Sequence, residues 1–426
     1  MKLSPIVVFF LFVQFLSAQV QDKVDFVHAN VSIEPTPSEN RINGNVTYQF
    51  DVIEDVSSFY LDAVNLEFSS VFLDDAKIDY EYNGRKITIK KIMEKGDTHF
   101  LKLDYVAKPK QTVYFLGWND GVRNNEQVWT QGQGKYTSHW LPSFDDMMEK
   151  VEFDLEIIVK QDYTVIANGK LVKQDTLPDD NGYLWQFDTE EPMSSYLVGF
   201  AIGDFDKKDI QSSSGMPIEL YYEPKDSLKA EPTYRYTKHV FDFLENEIGV
   251  AYPWQNYKQV PVQDFLYAGM ENTTCTIFSN QYVIDSTAFM DKNYVNVNAH
   301  EMAHHWFGDL VTETSSEHHW LHEDFATFYA YLAEKDIFGD DYFYWHLLET
   351  AKALQRFSGD DGGEALRNPN AGSLTFYEKG AWALVMLRDS VGEEAFQQGV
   401  QNYLNKYAFK NVTIPDLIKE IEQASN

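Results

Sequence analysis

Hydrophobic and polar residues alternate singly along the first half of the chain and fall three and four apart along the second. Val151, Phe153, Leu155 and Ile157 are interleaved with Glu152, Asp154 and Glu156, the period-two pattern of a strand with one buried and one wet face. Similar short runs, punctuated by turn residues and scattered prolines, continue over residues 25–205 and read as a large β domain; Asn43-Gly44 and Asn168-Gly169 read as hairpin turns within it. From about residue 207 the alternation thins, and helical spacing predicts helices over 234–248, 295–307, 321–337 and from 379 to 387. Residues 20–206 are therefore expected to form an all-β domain and 207–426 a mainly helical one, an α+β chain overall. No repeat or low-complexity linker separates the halves, which are expected to pack closely.

Residues 1–19 read as an address. Lys2 precedes an apolar run over 6–16 broken only by Gln14, and Ser17-Ala18 offers small residues for cleavage, the layout of a secretory signal peptide. The run is short for a bilayer and no other long apolar segment follows, so the expectation is export to the periplasm or beyond, with no stable membrane insertion after cleavage.

Composition narrows the partners. The 426 residues, 44% of them hydrophobic, supply more core than one ordinary domain needs. With 35 basic against 66 acidic residues the formal charge is -31, which argues against nucleic acid and anionic membranes and favours cationic ligands such as amines. Cys275 is the single cysteine. No intramolecular disulfide can form, and with no base placed beside it Cys275 reads as a small buried residue.

The histidines carry the chemistry. Six of the 11 lie between His300 and His322, and two of them form His300-Glu301-Met302-Ala303-His304. Residues four apart share one helical face, so both imidazoles can reach one zinc ion, while Glu301 is rotated toward the metal's water as a general base. A polar connection over 312–319 leads from Gly308, read as the end of the first helix, to a second helix beginning near Trp320, which returns Glu323 toward the histidines. Two histidines and one carboxylate leave a fourth zinc position open, the ligand set of a catalytic site.

The stretch Ala299-His300-Glu301-Met302-Ala303-His304-His305-Trp306-Phe307-Gly308, followed by Glu323, resembles the gluzincin aminopeptidases, the group containing aminopeptidase N and leukotriene-A hydrolase. Tyr267-Ala268-Gly269-Met270-Glu271-Asn272 is similar to that family's Gly-Ala-Met-Glu-Asn exopeptidase motif, with the first two residues exchanged. Tyr377-Glu378-Lys379-Gly380-Ala381 matches the segment bearing the family's tyrosine, and Thr130-Gln131-Gly132-Gln133 and Trp140-Leu141-Pro142-Ser143-Phe144-Asp145 look like its N-terminal landmarks. The resemblance covers 25–426. It implies a saddle-like N-terminal sheet followed by a thermolysin-like catalytic domain with one zinc ion, held by His300, His304 and Glu323.

On that resemblance, Glu301 is the general base and Tyr377 the oxyanion donor. Glu271 and Gln133 hold the free amine of a peptide substrate, with a contribution from Gln131, and Ala268, Gly269 and Met270 offer backbone to an extended peptide. Departures are visible. Gln133 replaces a glutamate common in the family, and His322 and Asp324 flank the third ligand where Asn and Gly are usual; both are expected to be supporting or surface groups, and His305, His318 and His319 to be uninvolved. Family members normally continue into a helical domain that roofs the cleft, so a chain ending at Asn426 implies a more open site. Two alternatives stay open: a zinc endopeptidase with an unroofed cleft, and a zinc-stabilised peptide-binding module without catalysis.

Overall fold

The computed structural model describes residues 20–119, 121–122, 125–179, 181–359 and 363–425; the expected signal peptide over 1–19 lies outside them. The alternation of the first half becomes sheet. Strand Lys150–Val159 buries Val151, Phe153, Leu155 and Ile157 and turns the acidic residues between them toward a half-wet face. It runs parallel to Val24–Thr36, which is paired antiparallel to Arg41–Val52, and that strand in turn to Thr98–Ala107. Among the described residues this sheet has nine strands, with smaller sheets of four and three beside it.

Neither Asn-Gly pair makes a hairpin. Asn43 and Gly44 lie inside Arg41–Val52, and the turn before it is Pro37–Glu39 with Asn40 at φ 48°. Gly44 is there for space: a Cβ would come within 2.5 Å of the Tyr105 hydroxyl on the neighbouring strand. Gly169, at φ +76°, does turn the chain, but between strands Thr164–Ala167 and Lys170–Thr176 of two different sheets. Asn168 fastens that corner to the second half by donating to the carbonyls of Leu197 at 3.0 Å and Thr273 at 2.6 Å.

The sheet order changes at Asp206–Gln211, the first strand of a five-stranded mixed sheet that continues through Pro217–Tyr222, Tyr257–Val262 and Cys275–Ser279 to the edge strand Gly269–Met270. Central strands buried on both faces, such as Tyr257–Val262, carry no alternation and so leave a weak sequence signal. Helices Thr237–Ile248, Val295–Ala303, Glu323–Phe338, Asp340–Ser358, Gly380–Val391, Glu393–Tyr407 and Ile414–Ser425 pack around this sheet and one another. One cluster of buried apolar residues runs through both halves. Across their junction Lys150 Nζ donates to the Asp309 carbonyl at 2.9 Å and the Thr312 hydroxyl at 2.7 Å. Cys275 is buried, and burial pushes its thiol up to about 12.

Glu149 makes the first half's stability depend on pH. Its carboxylate accepts the Phe26 amide at 2.7 Å, but burial raises it to about 8, with Asp25, Asp146 and Asp22 adding to the rise. A folded value above the unfolded one means that the folded state holds the proton more tightly, so this contribution to stability is lost as pH rises through the folded value. Glu149→Gln keeps the acceptor and removes the charge. Thermal melts are expected to match wild type near pH 4, and to show the variant more stable by on the order of 4 kcal/mol near pH 8.

Candidate active site

The local chain explains how the histidines converge. The regular helix ends at Ala303, earlier than the predicted 307, yet His304 keeps helical backbone angles and its amide still bonds the His300 carbonyl at 3.2 Å. The i, i+4 relation therefore survives the helix end. Gly308 does not close the helix; at φ +129° it lies under the His322 ring, where a Cβ would collide with the imidazole. A 3-10 turn, Ser316–Leu321, precedes the second helix, and Glu323 is that helix's first residue rather than one turn inside it. A carboxylate in this first turn faces the positive end of the helix dipole.

Three atoms meet at one point. His300 Nε2 and His304 Nε2 are 2.9 Å apart, and Glu323 Oε2 lies 3.2 Å from the first and 3.3 Å from the second. Tetrahedral zinc with ligand bonds near 2.0–2.1 Å separates its ligand atoms by about 3.3 Å, so this triangle fits the ion. The outer atoms set the tautomer. His304 Nδ1 faces the Phe307 carbonyl at 3.0 Å and donates to it, which leaves the Nε2 lone pair free for a metal. His300 Nδ1 meets the Thr327 hydroxyl at 3.3 Å on the helix that carries Glu323.

These groups open onto a cavity of about 900 Å³ whose wall includes Gln133, Glu271, Glu301 and Tyr377. Glu301 is buried, and its carboxyl rests over Gly269 where a Cβ would intrude. Burial raises its pKa; His304 opposes the rise, and Glu271, Glu323 and Asp309 add to it. Tyr377 sits in a π-helical turn, Leu374–Lys379, just ahead of helix Gly380–Val391, in place of the predicted helix start at Lys379. Its ring centre is 5.7 Å from that of His300, and the nearby Glu323 charge raises the pKa of its hydroxyl. Gln133 Nε2 donates to Glu323 Oε1 at 3.1 Å, so this side chain braces the third metal-facing residue as well as lining the cleft.

Ala268 and Gly269 also line the cavity, where Gly269–Met270 is the outer strand of its sheet. Gln131 and Met270 are different. Neither side chain reaches the cavity: both are buried behind it, with Gln131 Nε2 donating to the Met270 sulfur at 3.6 Å. They pack the floor and cannot touch a peptide from there.

Two histidines enter the cleft without having been singled out as site members. His319, expected to be uninvolved, lines the cavity and bonds Glu313 at 2.9 Å. His322, expected as a supporting or surface group, is fully buried between Glu271 and Glu313. The density of histidine over 300–322 was the available signal. Asp324 is buried too, and accepts the Gly380 amide at 3.2 Å. His305 stays outside the cleft, its Nε2 accepting the Thr274 amide at 3.0 Å.

Residues 26–197 match the Peptidase M1 N-terminal domain and residues 233–426 the Peptidase family M1 domain. Glutamyl aminopeptidase of Sus scrofa is 26% identical over 454 residues, covering 96% of this chain and 46% of the relative. Probable aminopeptidase 1 of Sulfurisphaera tokodaii is 31% identical over 379 residues, 85% of this chain and 47% of the relative. Leucyl aminopeptidase of Saccharolobus solfataricus is 28% identical over 393 residues, 88% and 48% of the two chains. The chain spans about half the length of the curated relatives it matches. With the two domain matches in their expected order and the His-Glu-His-Glu set inside the second of them, this chain belongs to peptidase family M1.

Proposed function

We propose that this chain is a zinc-dependent aminopeptidase that releases N-terminal residues from peptides, and that it is exported after removal of residues 1–19. The observation that carries the reading is the convergence of His300, His304 and Glu323 on one point in a cleft that also holds Glu271, Glu301 and Tyr377. The family is zinc-dependent in general. Zinc held by His300, His304 and Glu323 would supply Lewis-acid activation of water and polarisation of the scissile carbonyl.

The chain's own residues do the rest. Glu301 takes the proton from the attacking water and returns it to the leaving amine, a transfer favoured by the raised affinity of a buried carboxylate for a proton. Tyr377 is a phenol held protonated by the nearby Glu323 and by burial, so its hydroxyl is available to donate to the oxyanion. Glu271 pairs with the α-ammonium of the substrate and sets the register one residue from the N-terminus. Ala268 and Gly269, at the free edge of their sheet, offer main-chain groups to an extended peptide, which selects little for side chains.

The test is a pair of fluorogenic peptides, one with a free N-terminus and one acetylated, each with chelator and then with zinc restored. Zinc-dependent cleavage of the free-amine peptide alone is expected. Cleavage of both would make the protein an endopeptidase; tight binding without products would make it a peptide-binding module. Glu271→Ala is expected to lower kcat/KM on the free-amine peptide by about 10- to 150-fold, the worth of a hydrogen bond to a charged group. An equal loss on both peptides would remove the amine-anchoring role.

A further inference from the structure

Behind the proposed zinc ligands lies a second group of metal-binding character. Glu313, His319 and His322 bring one ligand atom each within 4.8 Å of the others. Glu313 Oε1 is 2.9 Å from His319 Nδ1 and 3.8 Å from His322 Nδ1. These separations straddle the roughly 3.3 Å between ligand atoms around a tetrahedral divalent ion. Local structure accounts for the pairing of the two rings: in a 3-10 turn residues three apart eclipse one another, and His319 and His322 are three apart at the end of Ser316–Leu321. Glu313 comes from the short strand Val311–Glu313 on the other side.

Hydrogen bonding alone does not complete this group. His322 is 2% exposed, and among the described residues neither of its ring nitrogens has a hydrogen-bond partner, although Nε2 is 3.2 Å from Glu271 Oε1. Glu313 is 1% exposed and its Oε2 is likewise unpartnered. Buried polar atoms are nearly always satisfied, so a buried imidazole between two carboxylates with no bond to either calls for a group the protein does not supply. Charge points to a cation. Glu271, Glu313 and Glu323 are each at most 2% exposed and lie around one cleft, a concentration of carboxylate that favours bound cations.

We propose that Glu313, His319 and His322 bind a second divalent cation of the zinc type, beside the site formed by His300, His304 and Glu323. Two imidazoles and a carboxylate suit zinc and its first-row neighbours, and the partly exposed His319 at the cavity wall leaves the ion a route in. With Nδ1 of each ring on this ion, the outer nitrogens face the rest of the site. His322 Nε2 lies 3.2 Å from Glu271 Oε1, and His319 Nε2 lies 3.9 Å from Glu323 Oε1. The second ion thereby orients both the carboxylate proposed to hold the substrate amine and the third ligand of the first ion. This inference concerns metal binding and holds whether or not the chain cleaves peptides.

The experiment is metal content per folded chain, by elemental analysis after equilibration with buffered zinc and gel filtration. Two zinc ions per wild-type chain are expected, falling to one in His319→Ala and in Glu313→Gln, to one in His300→Ala, and to none in His300→Ala/His319→Ala. His319, at the cavity wall, is the variant least exposed to a folding defect, and His319→Asn serves as a second replacement that keeps a polar side chain. One zinc per wild-type chain that is lost in His300→Ala and retained in His319→Ala overturns the proposal, as do two that persist in His319→Ala. A count lowered by His319→Ala but untouched by His300→Ala would instead remove the first site and leave the second standing.

Discussion

Glu301→Gln is expected to keep its metal and lose peptide hydrolysis by about 10²- to 10⁴-fold, the range that a positioned general base contributes. The amide has nearly the same size, so it can rest over Gly269 as the carboxylate does, and the three metal-facing atoms of His300, His304 and Glu323 are untouched. What disappears is the only function that needs a titratable oxygen, acceptance of the proton from water and its return to the amine. Steady-state kcat on a free-amine peptide, with zinc content measured on the same sample, checks it. Retained turnover at full metal content would reassign the base.

Gly380→Ala is expected to damage stability and turnover together. Gly380 opens the helix that follows the π-turn of Tyr377, and a Cβ there would come to 2.6 Å from Asp324 Cβ and closer still to its carboxyl. Asp324 is buried and holds the Gly380 amide, so it has little room to retreat. Overpacking of this kind costs about 1–3 kcal/mol. Any shift of the helix start displaces Tyr377 three residues earlier, and a donor moved off the oxyanion loses about 10²-fold or more in kcat. Thermal melts and kcat should fall in the same variant, and Asp324→Gly, which removes the colliding carboxyl, should restore both in the double variant. Full additivity of the two substitutions would show that the contact does not matter.

The parts of this protein legible in its residue order were those whose geometry is local. Period-two alternation in Lys150–Val159 specifies a half-buried strand wherever that strand ends up, because successive side chains point to opposite faces. The spacing of His300 and His304 specifies a shared face even though the regular helix stops between them, since one turn of helical backbone is enough to align them. Family landmarks spread over the chain carried the order of the domains, as the two domain matches do.

Tertiary structure decided what depends on residues far apart in sequence. Asn43-Gly44 has the composition of a turn and lies in mid-strand because Tyr105, some sixty positions away, needs the space over Gly44. Gln131 has a polar side chain suited to a substrate, yet faces the Met270 sulfur 139 positions on and never sees the cleft. His319 and His322 looked incidental because nothing near them in sequence announces a partner of known direction; Glu313 meets them only after the strand and 3-10 turn fold back on each other, and Glu271 arrives from a different sheet edge. Hydrophobic periodicity is a statement about one element and its solvent, whereas a buried polar cluster is a statement about which elements meet, and no single period encodes that meeting.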